Sequence, residues 1–556
     1  MDDNSTPEFA DMAVVNSKTY TVDLSRRWAD AFAVKDGVII GVGTEADISK
    51  LIGPQTEIVD AEGRLVLPGI IDAHTHCYEG ARAELFELQL PPNVNVDTML
   101  ESVRVARESR KPGSWIVGGA WSSALAPQLS SRDALAAYDR ATGDHPTVLR
   151  ELSYHARYAN SAAMRLAGID RSTPDPDNGT IVRAADGTPT GLLLEAACGL
   201  IDSTVPPYTL NDQMAAARHA VAKYNGFGVT GFTHAVTSEA TMRIFKELDD
   251  AGDLRAWIAT CIATESLITP QRDGIGDGVV ARRDSYASRH VAIDFVKYFM
   301  DGVPATRTAA FMDPYVAEDG GPGPLVQPFH AVQQLTDLIA PLDAQGIHVK
   351  VHAIGDKAIH DVLDAIENVR KQNGRNGPQH QIAHLSHILP DDIPRLSELN
   401  VMADLCPPLW FPNATIARNR AVLGQERADR SWPVRSLLKA GTHVCIGTDW
   451  PALAPSPNPW PGMSALITRE NPEGIVSGQL GPDQAIDLAA AIPLYTLNPA
   501  ISMGFGELTG SIAVGKFADF IILDRNLFEI PPRAISETRV LQTYFAGKRV
   551  YASDER

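Results

Sequence analysis

The hydrophobic pattern divides the chain into two kinds of stretch. Near both ends, apolar and polar positions alternate over short runs: 13–22, 33–35 and 38–42 around Asp36-Gly37, 57–59 and 64–67, then 512–514 and 519–523 around Gly515-Lys516, and 541–545 and 549–551 around Ala546-Gly547. A period of two predicts half-buried strands, and Asp-Gly between two such runs predicts a tight hairpin. Two strand-rich ends enclosing a different middle predict one small β-sandwich domain built from both termini, because chain ends commonly lie close together.

The middle repeats an apolar run followed by an amphipathic stretch. Candidate strands at 70–76, 228–234, 255–262, 292–299, 346–352, 380–385, 400–405 and 442–449 alternate with helical stretches such as 211–227, 331–345, 357–371 and 434–440. Eight alternating units predict an α/β fold, a (β/α)8 TIM barrel. The span exceeds the usual barrel of about 250 residues, and the excess sits between His76 and Gly228. The expected division is therefore 1–67 and 501–556 for the β-sandwich and 68–500 for the barrel, with an inserted subdomain at about 85–205 after strand one. The glycine- and proline-rich loop 318–324 is expected to cover the barrel mouth. The glycines of 273–278 form no phosphate-binding fingerprint, and no Walker sequence occurs.

Composition narrows the class. At 556 residues the chain exceeds one ordinary core, and 44% apolar with 21% charged residues is the balance of a soluble globular protein. No run of about 18 apolar residues marks a membrane span. The start, residues 1–8, is acidic and lacks the basic and apolar regions of a secretory signal, so a cytoplasmic location is expected. Five cysteines (77, 198, 261, 406 and 445) without a Cys-x-x-Cys spacing read as reduced, buried thiols. A net charge of −19 speaks against a phosphate-backbone partner. The expected partner is a small-molecule substrate, with no nucleic acid and no membrane; assembly as a homodimer stays open.

The chemistry gathers at strand ends, where barrel active sites lie. In Leu65–His76 an apolar strand closes on His74 and His76, two residues apart and so on one face. Strand two ends in His234 and strand four carries Lys297. Strand five ends in His352, strand six carries His384 with His387 just beyond, and strand eight ends in Asp449. One strand histidine is more often a core residue than a ligand; this many ionisable groups at equivalent positions make a candidate metal site. Cys77 follows the pair closely but points to the opposite face, as buried filler.

These residues carry a resemblance to the metal-dependent amidohydrolase superfamily, YtcJ-like (amidohydrolase family 3) branch, over nearly the whole chain. Pro68-Gly69-Ile70-Ile71-Asp72-Ala73-His74-Thr75-His76 is similar to the superfamily's first-strand signature, and Val296–Gly302 with Arg307-Thr308-Ala309 to the branch's fourth-strand motif. Val351–Asp356, Ala383-His384 and Thr448–Pro451 resemble its fifth, sixth and eighth strands. His155 with Asn160-Ser161 resembles a motif of its inserted subdomain, and Gly510–Asp519 a general superfamily ending. Two departures stand out: Ala383 replaces a common Glu, and Val303–Thr306 replaces a commoner Ser-Leu-Gly-Ser. The second bears on the substrate more than on the mechanism.

The resemblance implies a site of one or two divalent ions, zinc before manganese, iron, cobalt or nickel. His74, His76 and Asp449 would hold one ion and His352 and His384 a second, with Lys297, carboxylated by carbon dioxide, bridging them. His387 remains an alternative to His384, and a lysine–carboxylate pair with Asp301 or Asp449 an alternative for Lys297. The implied activity is metal-dependent hydrolysis of a C–N bond (amide, formamide or carbamate type), with Asp449 as proton shuttle. His234 and His155 are candidates for the tetrahedral oxyanion, and Arg307 for a substrate carboxylate or for bracing its own loop. Trp410 and Trp450, in the aromatic and proline-rich loops after strands seven and eight, are candidate walls for an apolar or aromatic substrate. The alternatives are a decarboxylase, isomerase or esterase of the same superfamily, and a non-catalytic metal-binding regulatory protein.

Overall fold

The computed structural model describes residues 9–91, 94–265, 273–317 and 319–554. The acidic start, residues 1–8, and Glu318 of the expected cover loop lie outside them. Eight parallel strands follow one another in chain order: Ile70–Thr75, Val229–Thr237, Trp257–Ala263, Val291–Phe299, His348–Ala353, His380–His384, Val401–Leu405 and Val444–Ile446. Buried on both faces, they are apolar nearly throughout, which is why they read as runs rather than as alternation. Helices Leu210–Gly226, Val332–Asp343, Asp356–Asn373 and Val434–Lys439 lie where the sequence places them.

The last strand is shorter than expected, and the difference shapes the barrel. Past Ile446 the chain leaves the ladder and turns onto strand one. Asp449 donates its N–H to the His74 carbonyl at 2.7 Å, and His76 donates to the Trp450 carbonyl at 2.8 Å. Asp72 clasps the same seam, accepting from the Thr448 amide (2.9 Å) and hydroxyl (2.5 Å), the His74 amide (3.1 Å) and the Tyr224 hydroxyl (3.1 Å). Gly447 permits the approach, since a Cβ there would lie 2.4 Å from the His74 amide nitrogen.

Both termini build two further sheets. One, of four strands, orders Val38–Gly43, Ala31–Lys35, Met12–Val15 and Glu57–Asp60; the other, of six, orders Lys548–Ala552, Val540–Phe545, Phe520–Leu523, Leu65–Pro68, Lys18–Tyr20 and Trp28–Ala29. Val14, Phe32, Val66, Phe520 and Tyr544 fill the space between them, with the last two rings stacked 4.3 Å apart. Two expectations need correction here. The run 13–22 is two strands rather than one: Asn16, at φ +49°, turns the chain from one sheet into the other. Residues 512–514 form no strand, although Ile512 still donates its amide to the Thr21 carbonyl.

Between strands one and two lies a third sheet, ordered Gly179–Arg183, Pro189–Glu195, Ala156–Ala159, Thr147–Glu151, Ile116–Trp121 and Leu88–Gln89. It has its own core around Trp121, Tyr138 and Tyr158. Among the described residues no helix is long and apolar enough to cross a membrane.

Candidate metal centre and the cavity above it

His74, His76 and Asp449 each bring one ligand atom within 4.8 Å of the others, all buried. Asp449 Oδ1 stands 3.2 Å from His76 Nε2 and 3.5 Å from His74 Nε2. Among the described residues neither His74 Nε2 nor Asp449 Oδ1 has a hydrogen-bond partner. Buried imidazole nitrogen and carboxylate oxygen left unsatisfied at one point fit a borderline cation that would take both. His74 is oriented for this by Asp404, whose Oδ2 lies 2.7 Å from His74 Nδ1. The bond fixes the proton on Nδ1 and leaves the Nε2 lone pair free.

A second group adjoins the first. The rings of His384 and His352 are 4.4 Å apart and those of His384 and His74 5.0 Å. His384 hydrogen-bonds the Cys406 carbonyl through Nδ1 at 2.9 Å, and Cys406 Sγ lies 3.3 Å from the same nitrogen. His384, not His387, thus takes the strand-six place; His387 packs against Phe311 with neither ring nitrogen bonded. Both His384 (φ +71°) and Asp449 (φ +57°) hold the left-handed backbone region, rare for residues with a Cβ and common at functional sites. Burial first, and then neighbouring positive charge that includes Lys297, hold His74, His352 and His384 far below the usual imidazole range. Neutral imidazoles are what metal ligation requires.

Lys297 is fully buried, its ammonium 5.0 Å from the Phe299 ring centroid. Burial, reinforced by Lys350, brings its pKa down to about 8. The lysine–carboxylate pair of the barrel interior is made by another residue. Lys350 donates to Asp404 Oδ2 at 2.6 Å and to the Ala73 carbonyl at 2.9 Å, and Asp404 outweighs burial to raise its pKa. Asp301 is occupied elsewhere, accepting the backbone amides of Ala310, Ile354 and Gly355 and so tying together the loops after strands four and five.

The remaining candidates part ways. His155, from the inserted sheet, reaches the centre: its ring is 5.2 Å from that of His352 and its Nδ1 is 2.6 Å from Glu195. Burial opposes its charge, but Glu195 and Glu151 prevail and raise its pKa. His234 lies beside His76, at 6.4 Å between centroids, yet both its nitrogens are engaged, by Glu79 and Thr237, each at 3.0 Å. Arg307 turns to the Val316 carbonyl and braces its own loop. Trp410 is entirely buried, bonded to the Gly462 carbonyl, and is core rather than substrate wall.

Trp450, itself buried, borders a cavity. This cavity, of about 660 Å³, lies at the same end of the barrel, its wall formed by residues that follow the strand ends: Val303 and Pro304 after strand four, Ile354 after five, Pro407 and Leu409 after seven, Trp450 and Leu453 after eight. The sequence reading missed Asp72, Lys350, Asp404 and Glu195. The first was legible in the motif, while the others sit on strand or sheet positions that carry no local signal.

Comparison with known proteins agrees with this geometry. The amidohydrolase family model matches residues 57–551. The N-substituted formamide deformylase of Arthrobacter pascens is 30% identical over 97% of this chain and 98% of its own. Protein LONG AFTER FAR-RED 3 of Arabidopsis thaliana is 29% identical over 98% and 92%. A metal-dependent hydrolase from Pyrococcus horikoshii has the same fold, with a TM-score of 0.72 at 22% identity over 94% of this chain and 99% of that one. Strand-end histidines and aspartate, an eight-stranded parallel barrel and the family match therefore coincide: the chain belongs to the amidohydrolase family of metal-dependent hydrolases.

Proposed function

We propose that the protein hydrolyses a C–N bond, of amide, formamide or carbamate type, in a small substrate with an apolar body. The observation that carries this is the convergence of His74, His76 and Asp449 on one point, at the end of the barrel that also holds a largely apolar cavity of about 660 Å³, a size suited to a small organic ligand. Similarity to a formamide deformylase supports the same reading. His74, His76 and Asp449 would hold one divalent ion, and His352 and His384 a second. Lys297, with its amine pKa about 8, would bridge them as a carbamate. Zinc suits this set of imidazoles and carboxylate.

When bound, the cation supplies Lewis acidity toward a carbonyl oxygen and toward water near neutral pH. Asp449 accepts the proton of the attacking water and passes it to the leaving nitrogen, so that a C–O bond forms, the C–N bond breaks, and an acid and an amine depart. His155, whose burial is outweighed by Glu195 so that its pKa is raised, stabilises the oxyanion as it develops. The cavity wall excludes bulk water from the reacting bond.

The test is a panel of N-formyl, N-acetyl and carbamoyl derivatives of benzylamine beside the matching esters, assayed on protein of known metal content. Faster turnover of the C–N series supports the reading; turnover of esters alone, or of none by metal-replete protein, removes it. Carbon-13 carbonate labelling should give a carbamate resonance that Lys297→Met abolishes.

A further inference from the structure

Among the described residues, four with charged side chains line the cavity, and three of them are already spoken for. Glu84 holds Lys223 and, at 3.0 Å, His219. Arg150 is bonded to Glu87, and Glu151 accepts the amides of Ser123 and Ser153. Arg418, on helix Ala414–Leu423 after strand seven, has no carboxylate or carbonyl partner among the described residues, and its buried Nε is unsatisfied. An arginine on an apolar wall without a counter-ion carries hydrogen-bonding capacity that the fold does not use.

Its neighbours on the wall share the property. Among the described residues, Asn419, 4% exposed, leaves Oδ1 unpartnered; Trp432, 3% exposed, leaves its indole N–H unpartnered; His387, 6% exposed, leaves both ring nitrogens so. All three line the same cavity. Trp432 donates its backbone amide to the Ser386 carbonyl, which fixes it beside His387. Buried polar groups are nearly always satisfied within a protein, so several unsatisfied ones on one cavity wall point to a ligand that completes them.

We propose that Arg418, with Asn419 and Trp432 beside it, binds a carboxylate carried by the substrate on the far side of its apolar body from the scissile C–N bond. This rests on the hydrolytic reading above and deepens it: the substrate class becomes N-acyl or N-carbamoyl compounds that also bear a free acid. A monoanion matches the one uncompensated cation on the wall among the described residues, and planar guanidinium pairs with carboxylate through two parallel hydrogen bonds. A phosphate dianion would leave excess negative charge on a wall that already holds Glu84 and Glu151.

The test is calorimetric binding of 3-phenylpropionate and its neutral isostere 3-phenylpropanamide to the metal-loaded protein. The acid should bind about 10- to 100-fold more tightly than the amide. Arg418→Gln should collapse that ratio, and Arg418→Lys should retain part of it. An acid that binds no better than the amide overturns the proposal. So does a ratio untouched by Arg418→Gln, which would place the carboxylate on the metal instead. The kinetic counterpart compares N-formylbenzylamine with 4-(formamidomethyl)benzoate, where the preference for the acid should appear in KM and follow the same variants. Discrimination in binding without turnover of either compound would sink the hydrolytic reading and leave only the carboxylate subsite standing; turnover of both with no discrimination would keep the hydrolytic reading and remove the subsite.

Discussion

Asp404 Oδ2 is 2.7 Å from His74 Nδ1, and the same oxygen takes the Lys350 ammonium at 2.6 Å, all three groups fully buried. The carboxylate thus sets the tautomer of a proposed ligand while neutralising a lysine inside the barrel. Asp404→Asn keeps a hydrogen bond to His74 but strands the Lys350 charge. Metal affinity, measured by chelator competition, should fall about 10- to 100-fold, and Lys350→Met in the same chain should recover thermal stability that the single change loses.

Asp449→Asn separates proton transfer from ion binding, because an amide oxygen still ligates but accepts no proton. Turnover should fall about 100- to 10,000-fold, with metal content per chain by elemental analysis close to that of the parent. Undiminished turnover would take the shuttle role away from Asp449.

Gly447→Ala tests the closure of the barrel. The new methyl meets the His74 amide nitrogen at 2.4 Å and its Cβ at 2.5 Å, so strand one and the loop after strand eight must separate. A stability loss of about 1–3 kcal/mol in denaturant titration is expected, with weaker metal retention, since His74 and Asp449 lie on opposite sides of that contact.

Acid should loosen the join between barrel and β-sandwich. Asp249 accepts from His290 Nδ1 (2.6 Å), the His290 amide (2.8 Å) and Ser288 (2.6 Å), and the His290 ring packs on Trp257 and Phe545. Burial alone would push the Asp249 carboxyl up, but these hydrogen bonds prevail and hold it at about 2. A carboxyl lowered in the folded state contributes stability that is complete above its unfolded value of about 4 and is lost as pH falls toward about 2. Chemical denaturation between pH 5 and 3 should show this decline, and Asp249→Asn should flatten it.

Much of this was legible in the sequence, for identifiable reasons. Doubly buried parallel strands are continuous apolar runs, so all eight were placed, and His74, His76, His352, His384 and Asp449 fell at their ends. What escaped depends on partners remote in sequence. The run 13–22 looks continuous because alternation does not change when a strand passes from one sheet to another; only Asn16, tolerant of positive φ, marks the turn. Trp410 and Trp450 sit in similar proline-rich loops, and nothing local shows that one is sealed by Gly462 while the other borders the cavity. Arg307 and Arg418 differ likewise only in what the fold brings against them.

The seam between the first and last strands has a consequence for biosynthesis. Asp72 and Thr448, which clasp it, stand 376 positions apart, so a ribosome releases His74 and His76 long before Asp449 exists. Until then the early histidines lack their carboxylate and the cylinder lacks its final stave. Nascent chains and truncated products should therefore neither retain the ion tightly nor turn over substrate, and competence should arrive as a late, all-or-none event of folding.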